Sequence, residues 1–161
     1  MRAGRTLLGL CLVLGGCREA AAPATRVAVR LDGGPAAGSY ESSASRPACV
    51  LTPAAPGSVT VQYTDWTGPK HGLRSLSLVV PSPARPTDFY LGMVFGDFFA
   101  GQVLEIDTRA TTPVPRGHGQ VAVQQGSRMT TVTVTGETDS AVPFTATITC
   151  LTLNGTEGTD S

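Results

Sequence analysis

Short segments in which every second residue is apolar recur along this chain, and they restrict it to a β fold. In residues 27–31, 59–63 and 144–150, the apolar positions alternate with polar or small ones. Successive side chains of a strand point to opposite faces, so each segment can cover a core with one face and meet water with the other. No window of the sequence shows the 3.6-residue spacing of an amphipathic helix. The chain is therefore predicted to be all-β.

Turn-forming residues separate these segments at short intervals. The chain has 19 Gly and 12 Pro but only 15% charged residues, a composition typical of short strands joined by many loops. This spacing predicts an antiparallel β-sandwich or small barrel of eight to nine strands. The segments with strand patterning are residues 27–31, 48–51, 59–63, 75–80, 89–95, 104–107, 121–123, 131–135 and 144–150.

The N-terminus carries the three parts of an export signal. Arg2 and Arg5 give a positive start, residues 7–14 form an apolar run, and two small residues stand before Cys17. The run is too short to span a bilayer, which takes about 20 apolar residues. Residues 14–17 resemble the lipobox of bacterial lipoproteins. The alternative is an ordinary secretory signal in which Cys17 occurs by chance.

The lipobox resemblance implies an address in the cell envelope. In lipoproteins of this kind the peptide is cut before the cysteine, whose thiol carries a diacylglycerol. Residues 1–16 would be the signal peptide, residues 17–25 the lipidated cysteine and its tether, and residues 26–153 the folded β-sandwich domain. Because Arg18, and not an aspartate, follows the cysteine, the outer membrane is expected if the cell is Gram-negative. Residues 154–161 are polar and are predicted to form a disordered tail.

Two cysteines remain for the folded domain, Cys49 and Cys150. An exported protein meets an oxidising compartment, so a disulfide between them is predicted. Cys150 has the same phase as Phe144 and Ile148, which places this bond on the core side of its strand. The alternative is a pair of separate buried thiols.

Charge and motif content argue against nucleic-acid binding and catalysis. Without the first 16 residues, the chain keeps 10 Lys and Arg against 12 Asp and Glu, and no basic patch appears. The two histidines, His71 and His118, lie in separate Gly- and Pro-rich loops without the spacing of a zinc site. Asp97, Glu105 and Asp107 lack the compact spacing of a calcium loop, and the last two are expected on the outer face of a strand. With no Gly-x-Ser-x-Gly element either, we predict no enzyme, no metal and no cofactor.

The segment around Trp66, the only tryptophan, is the best candidate for a binding surface. Its aromatic and charged neighbours offer stacking area together with polar groups that orient a ligand. A second aromatic pair follows in a glycine-flanked loop. The alternative is that Trp66 plugs one end of the sandwich. The candidate ligand-binding residues are Tyr63, Asp65, Trp66, Lys70, Phe98 and Phe99.

The layout of the chain resembles one known family. An early strand runs into an Asp-Gly turn at residues 29–33, a cysteine follows, and the last strand ends in Ile-Thr-Cys at residues 148–150. The strand before it runs into a glycine at residues 132–136. Together with the lipobox and the short tether, this layout is similar to the mycobacterial 19-kilodalton lipoprotein antigen family. The resemblance implies an exported, surface-associated non-enzyme with one disulfide, and it supplies no catalytic residues.

These features predict a lipid-anchored cell-envelope lipoprotein that acts as a non-catalytic binding or adhesion module. Its expected partners are the membrane, through the lipid, and an envelope protein or a glycan, with no nucleic acid. A structural or accessory envelope lipoprotein, or an inhibitor of a hydrolase, is the alternative function.

The anchor can be tested at Cys17. Replacing its thiol in Cys17→Ser removes the acceptor for the diacylglycerol, so the protein should lose the mass of its acyl chains and leave the membrane fraction. Fractionation of the cells and intact-mass spectrometry measure both changes. A variant that keeps its mass and its membrane association would contradict the lipobox.

Overall fold

The chain forms a β-sandwich in a computed structural model, which describes residues 22–52, 57–151 and 153–154. Within these residues the structure has eleven strands and no helix long and apolar enough to span a membrane. The strands are β1 (Thr25–Leu31), β2 (Gly38–Ala44), β3 (Cys49–Leu51), β4 (Val59–Thr64), β5 (Leu73–Val80), β6 (Tyr90–Phe95), β7 (Gln102–Asp107), β8 (His118–Gln125), β9 (Met129–Glu137), β10 (Pro143–Leu151) and β11 (Leu153–Asn154).

The strands form two sheets that share one core. The first sheet has the order β2-β1-β10-β9-β8, and the second has the order β11-β3-β4-β5-β6-β7. All pairings are antiparallel except that of β11 with β3. The predicted all-β antiparallel sandwich is confirmed, and each of the nine segments with strand patterning contributes to a strand.

The core consists of the alternating apolar side chains of both sheets. Along β1 the buried residues are Val27, Val29 and Leu31, with exposed residues between them. The opposing sheet contributes a similar row on β5 and β6, where Leu78 pairs with Leu91 and both are fully buried. Burial of a side chain of this size contributes about 1.5–3 kcal/mol, so these rows dominate the stability of the sandwich.

Two of the eleven strands, β2 and the two-residue β11, are missing from the sequence prediction of eight to nine, and β2 is the longer of them. Residues 38–44 hold a single aromatic residue, Tyr40, among small and polar ones, and none of the seven is fully buried. The strand exists because it adds to the edge of β1 through backbone hydrogen bonds, a pairing that needs no apolar face of its own. Tyr40 then packs its ring against Phe95 of the second sheet, with 4.6 Å between the ring centroids.

The disulfide between Cys49 and Cys150 is confirmed. It joins β3 of the second sheet to β10 of the first, with 5.9 Å between the Cα atoms, and both residues are fully buried. The chain then leaves the first sheet at Leu151 and enters the second at Leu153. The bond therefore fastens the two sheets at the point where the chain crosses between them.

The domain boundaries differ slightly from those predicted. Ala24 and Thr25, expected in the tether, are buried. The Thr25 hydroxyl is held there because it donates to Arg46 O at 2.9 Å and accepts from Ala48 N at 3.0 Å. Asn154, expected in the tail, belongs to β11. The signal peptide, Cys17, the first residues of the tether and the rest of the tail lie outside the described residues.

Removing the disulfide should weaken the sandwich without changing its fold. The bond closes a loop across 101 residues of sequence, and loss of such a cross-link costs about 2–5 kcal/mol in a small exported domain. The double variant Cys49→Ala/Cys150→Ala should therefore unfold at a lower urea concentration than the oxidised protein. Reduced wild-type protein is the control and should resemble the variant. Coincident unfolding of all three samples would contradict a stabilising role.

Candidate functional site

Three loops meet at one end of the sandwich. They comprise residues 32–37 between β1 and β2, residues 65–72 between β4 and β5, and residues 96–101 between β6 and β7. Side chains from all three line one cleft, which shows that the loops are neighbours. All the candidate binding residues except Tyr63, which lies on β4, fall on the second and third of these loops. The fold therefore brings the two candidate segments together.

An exposed aromatic surface lies on these loops. The rings of Trp66 and Phe98 stack with 4.3 Å between centroids and 31° between planes. Trp66 is 73% exposed, and the adjacent Phe99 is 98% exposed. We call these three residues the aromatic platform. The exposure of Trp66 excludes the alternative in which this residue plugs the core.

The loop that carries Trp66 is held by the carboxylate of Asp65. Its Oδ1 accepts hydrogen bonds from Thr67 N at 2.9 Å and Gly68 N at 2.8 Å. Although partial burial acts in the opposite direction, these bonds hold the pKa of Asp65 below its ordinary value. A Cβ at Gly68 would collide with this carboxylate, so the turn requires glycine there. Asp65 thus shapes the loop from within.

The loop that carries Phe98 and Phe99 is held in the same way, by an aspartate carboxylate that accepts backbone hydrogen bonds. Asp97 Oδ1 accepts from Phe99 N at 2.8 Å and Ala100 N at 3.0 Å, and these bonds hold the pKa of Asp97 below its ordinary value. Gly101 N donates to Asp97 O at 2.7 Å, and the backbone packs so closely around Gly101 that no Cβ fits. The turn is therefore fixed by its own hydrogen bonds.

Arg74 ties the two loops together. It is the extra residue of a β-bulge in β5, where the pairing with β6 shifts between Leu73 and Ser75. Its Nε donates to Gly96 O at 2.6 Å and its Nη1 to Gly68 O at 2.7 Å, while the guanidinium lies 5.9 Å from the centroid of the Phe98 ring. Bulges often redirect a side chain in this way beside functional sites.

The sequence analysis missed Arg74, although the sequence holds a signal for it. Leu73 and Leu76 both face the core, three residues apart, which breaks the period of two. Such a break indicates an extra residue in the strand. That the residue reaches both loops follows only from the positions of β4, β5 and β6 in the sheet.

Tyr63, predicted as a ligand-binding residue, does not lie at the surface with the other candidates. It shares the inward phase of Val59 and Val61 on β4, so its ring is buried in the core, and this burial raises its pKa. The Tyr63 hydroxyl hydrogen-bonds Ser42 Oγ, which also donates to Asp65 Oδ2 at 3.2 Å. Tyr63 therefore supports the loop that carries Trp66 from the core side, through Ser42 and Asp65.

A cleft of about 670 Å³ lies beside the platform. Tyr40 and Phe95 line it together with the exposed side chains of Lys70 and His71. Arg74 also lines the cleft and, through its contact with the Phe98 ring, borders the platform as well. Lys70, one of the predicted candidates, thus lies at the wall of a concave surface.

Two acidic residues considered for calcium have other roles. Asp107 was expected on an outer strand face, but it is buried at the end of β7, where Arg109 donates to both of its oxygens at 2.8 and 2.6 Å. These bonds lower the pKa of Asp107 to about 2. Glu105 pairs with Arg116 at 2.6 Å. Within the part of the chain that the structure describes, no three His, Cys, Asp or Glu residues are grouped as a metal site requires.

The chain matches no protein-family model, no curated protein and no solved structure. The resemblance to the mycobacterial lipoprotein antigen family therefore stays a prediction. The function of the platform and cleft has to be inferred from their geometry and chemistry.

The exposure of Trp66 predicts a small effect on stability when its ring is removed. Trp66→Ala loses a stacking contact at the surface, and its free energy of unfolding should fall by about 1 kcal/mol or less. Phe89→Ala, a fully buried control, should lose about 3–5 kcal/mol. Urea unfolding of both variants measures the difference, and a loss at Trp66 as large as that at Phe89 would show that Trp66 supports the core.

Proposed function

We propose that this protein is a lipid-anchored, non-catalytic binding module of the cell envelope, and that the aromatic platform is its contact surface. The observation that carries this proposal is the exposure of Trp66, which stacks on the half-buried Phe98, together with that of Phe99, on two loops with defined hydrogen bonds.

Exposed aromatic rings on ordered loops favour a binding role. Trp and Tyr are enriched among the residues that dominate binding energy, because a large flat ring loses little conformational freedom when it is covered. Asp65, Asp97 and Arg74 fix the loops before any ligand arrives. A preformed surface pays less ordering entropy on association than a flexible one.

The chemistry around the platform supports binding without catalysis. The two nearest carboxylates, Asp65 and Asp97, accept hydrogen bonds from backbone N–H groups and have lowered pKa values. A general acid at neutral pH needs the opposite shift, and a general base works best with a pKa near the operating pH, which a lowered carboxylate pKa does not give. Both carboxylates therefore serve the loop backbone.

A short tether would join the proposed anchor to the domain. The chain that follows the lipidated Cys17 would enter the folded domain at the start of β1, which is the anchor end of the first sheet. The segment from Cys17 to Thr25 reaches at most about 26–29 Å. The domain would therefore lie close to the lipid surface.

Capture experiments test this role with the exported Cys17→Ser protein as bait. Immobilised bait should retain a discrete glycan or one envelope protein from arrays of both, and Trp66→Ala should weaken this binding by about 30-fold, the effect of a hot-spot residue. Val114→Ala is the matched control, because Val114 is 72% exposed and follows β7, at the end opposite the platform. Equal capture by the two variants would contradict the platform as the contact surface and would favour a structural or accessory role.

A further inference from the structure

We propose that the ligand is an acidic glycan, with one sugar ring stacked on Trp66 and a neighbouring acid group held in the adjoining cleft. This inference rests on the binding function proposed above and adds the chemical class of the ligand. The juxtaposition that carries it is Arg74, which lines the cleft and also contacts the Phe98 ring of the platform.

The cleft offers donors for an anion. Lys70 and His71 are exposed side chains in its lining. Among the described residues, Lys70, His71 and Arg74 form no salt bridge. Arg74 uses its Nε and one Nη1 hydrogen for backbone carbonyls, which leaves other guanidinium hydrogens for a ligand. The salt bridges of the described residues are Arg30–Asp32, Arg85–Asp88, Arg109–Asp107 and Arg116–Glu105.

The cleft is more positive than the domain as a whole. The charged residues in its lining are Lys70, Arg74 and Asp97, and two backbone N–H groups already engage the Asp97 carboxylate. The lining thus has a net positive charge, whereas residues 26–153 have nine Lys and Arg against nine Asp and Glu. A polyanion would therefore be attracted to this cleft in particular and not to the protein in general.

The shape of the site favours a glycan over a protein partner. A cleft of about 670 Å³ falls within the roughly 300–1,000 Å³ of pockets that enclose small groups. A stable protein interface usually covers about 800 Å² per partner around an apolar centre. Here the exposed apolar surface is three rings beside a cleft whose lining is partly apolar and partly charged. A chain of sugar rings, each carrying an acid group, can use both features at once.

The acid group can be tested with pairs of polymers that differ only in charge. The Cys17→Ser protein should bind polygalacturonate at least ten-fold more tightly than its fully methyl-esterified form, because esterification removes the carboxylate and keeps the ring. Phosphorylated dextran compared with plain dextran shows whether a phosphate serves as well as a carboxylate. Poly-glutamate, a polyanion without sugar rings, should not bind. Biolayer interferometry measures all five affinities.

Variants separate the role of the cleft from that of the platform. Lys70→Gln should lower the affinity for the acidic polymer by about 2–5-fold, the effect of a partly exposed ion pair, and should leave binding of the ester unchanged. Arg128→Gln is the matched control, because Arg128 is an exposed cation in the turn between β8 and β9, at the anchor end of the sandwich. Trp66→Ala should weaken binding of both forms.

The outcomes distinguish this inference from the binding function itself. The acidic-glycan inference would be overturned by equal affinity for the acidic and esterified polymers, or by an equal loss of affinity in Lys70→Gln and Arg128→Gln. A ligand whose binding depends on Trp66 would still leave the binding function intact. Binding of poly-glutamate as tight as that of polygalacturonate would also overturn it. If none of the sugar polymers binds, the inference fails, and capture of an envelope protein through Trp66 then decides the binding function separately.

Discussion

Every feature of this protein depends on the burial of alternate side chains between two sheets. Strands β1, β5, β6 and β10 each place a row of apolar residues inward, and the rows of the two sheets form one core. The strands must pair in the observed register for these rows to face each other, because a shift by one residue would turn each row towards water. The Cys49–Cys150 disulfide then fastens sheets that the core has already aligned.

The core and the aromatic platform are built from different parts of the chain. Phe89, Met93 and Ile148 lie fully buried in the interior, whereas Trp66 and Phe99 are exposed on loops. Trp66 and Phe98 stack on each other at the surface, above loops whose hydrogen bonds come from Asp65, Asp97 and the bulge residue Arg74. The strands thus supply the core, and the loops carry the proposed contact surface.

The sequence indicated several parts of the site but not their relations. It singled out Trp66 and Phe98 as aromatic residues in polar loops, and both are on the platform. It placed Tyr63 with them, although the alternation with Val61 already predicted an inward ring. It missed β2, because an edge strand can be built from polar residues when a neighbour supplies the hydrogen bonds. Local patterns report which face a residue occupies, and they do not report which strand lies beside it.

The sequence by itself determined the β class, the positions of nine of the eleven strands and the inward phase of Cys150, because a period of two is a local property of the backbone. Tertiary structure decided the order of the strands, and with it the meeting of residues 65–72 with residues 96–101. It also decided that Arg74 reaches both loops and that Lys70 borders a cleft. These contacts join residues distant in the chain, and they exist only because β4, β5 and β6 pair side by side.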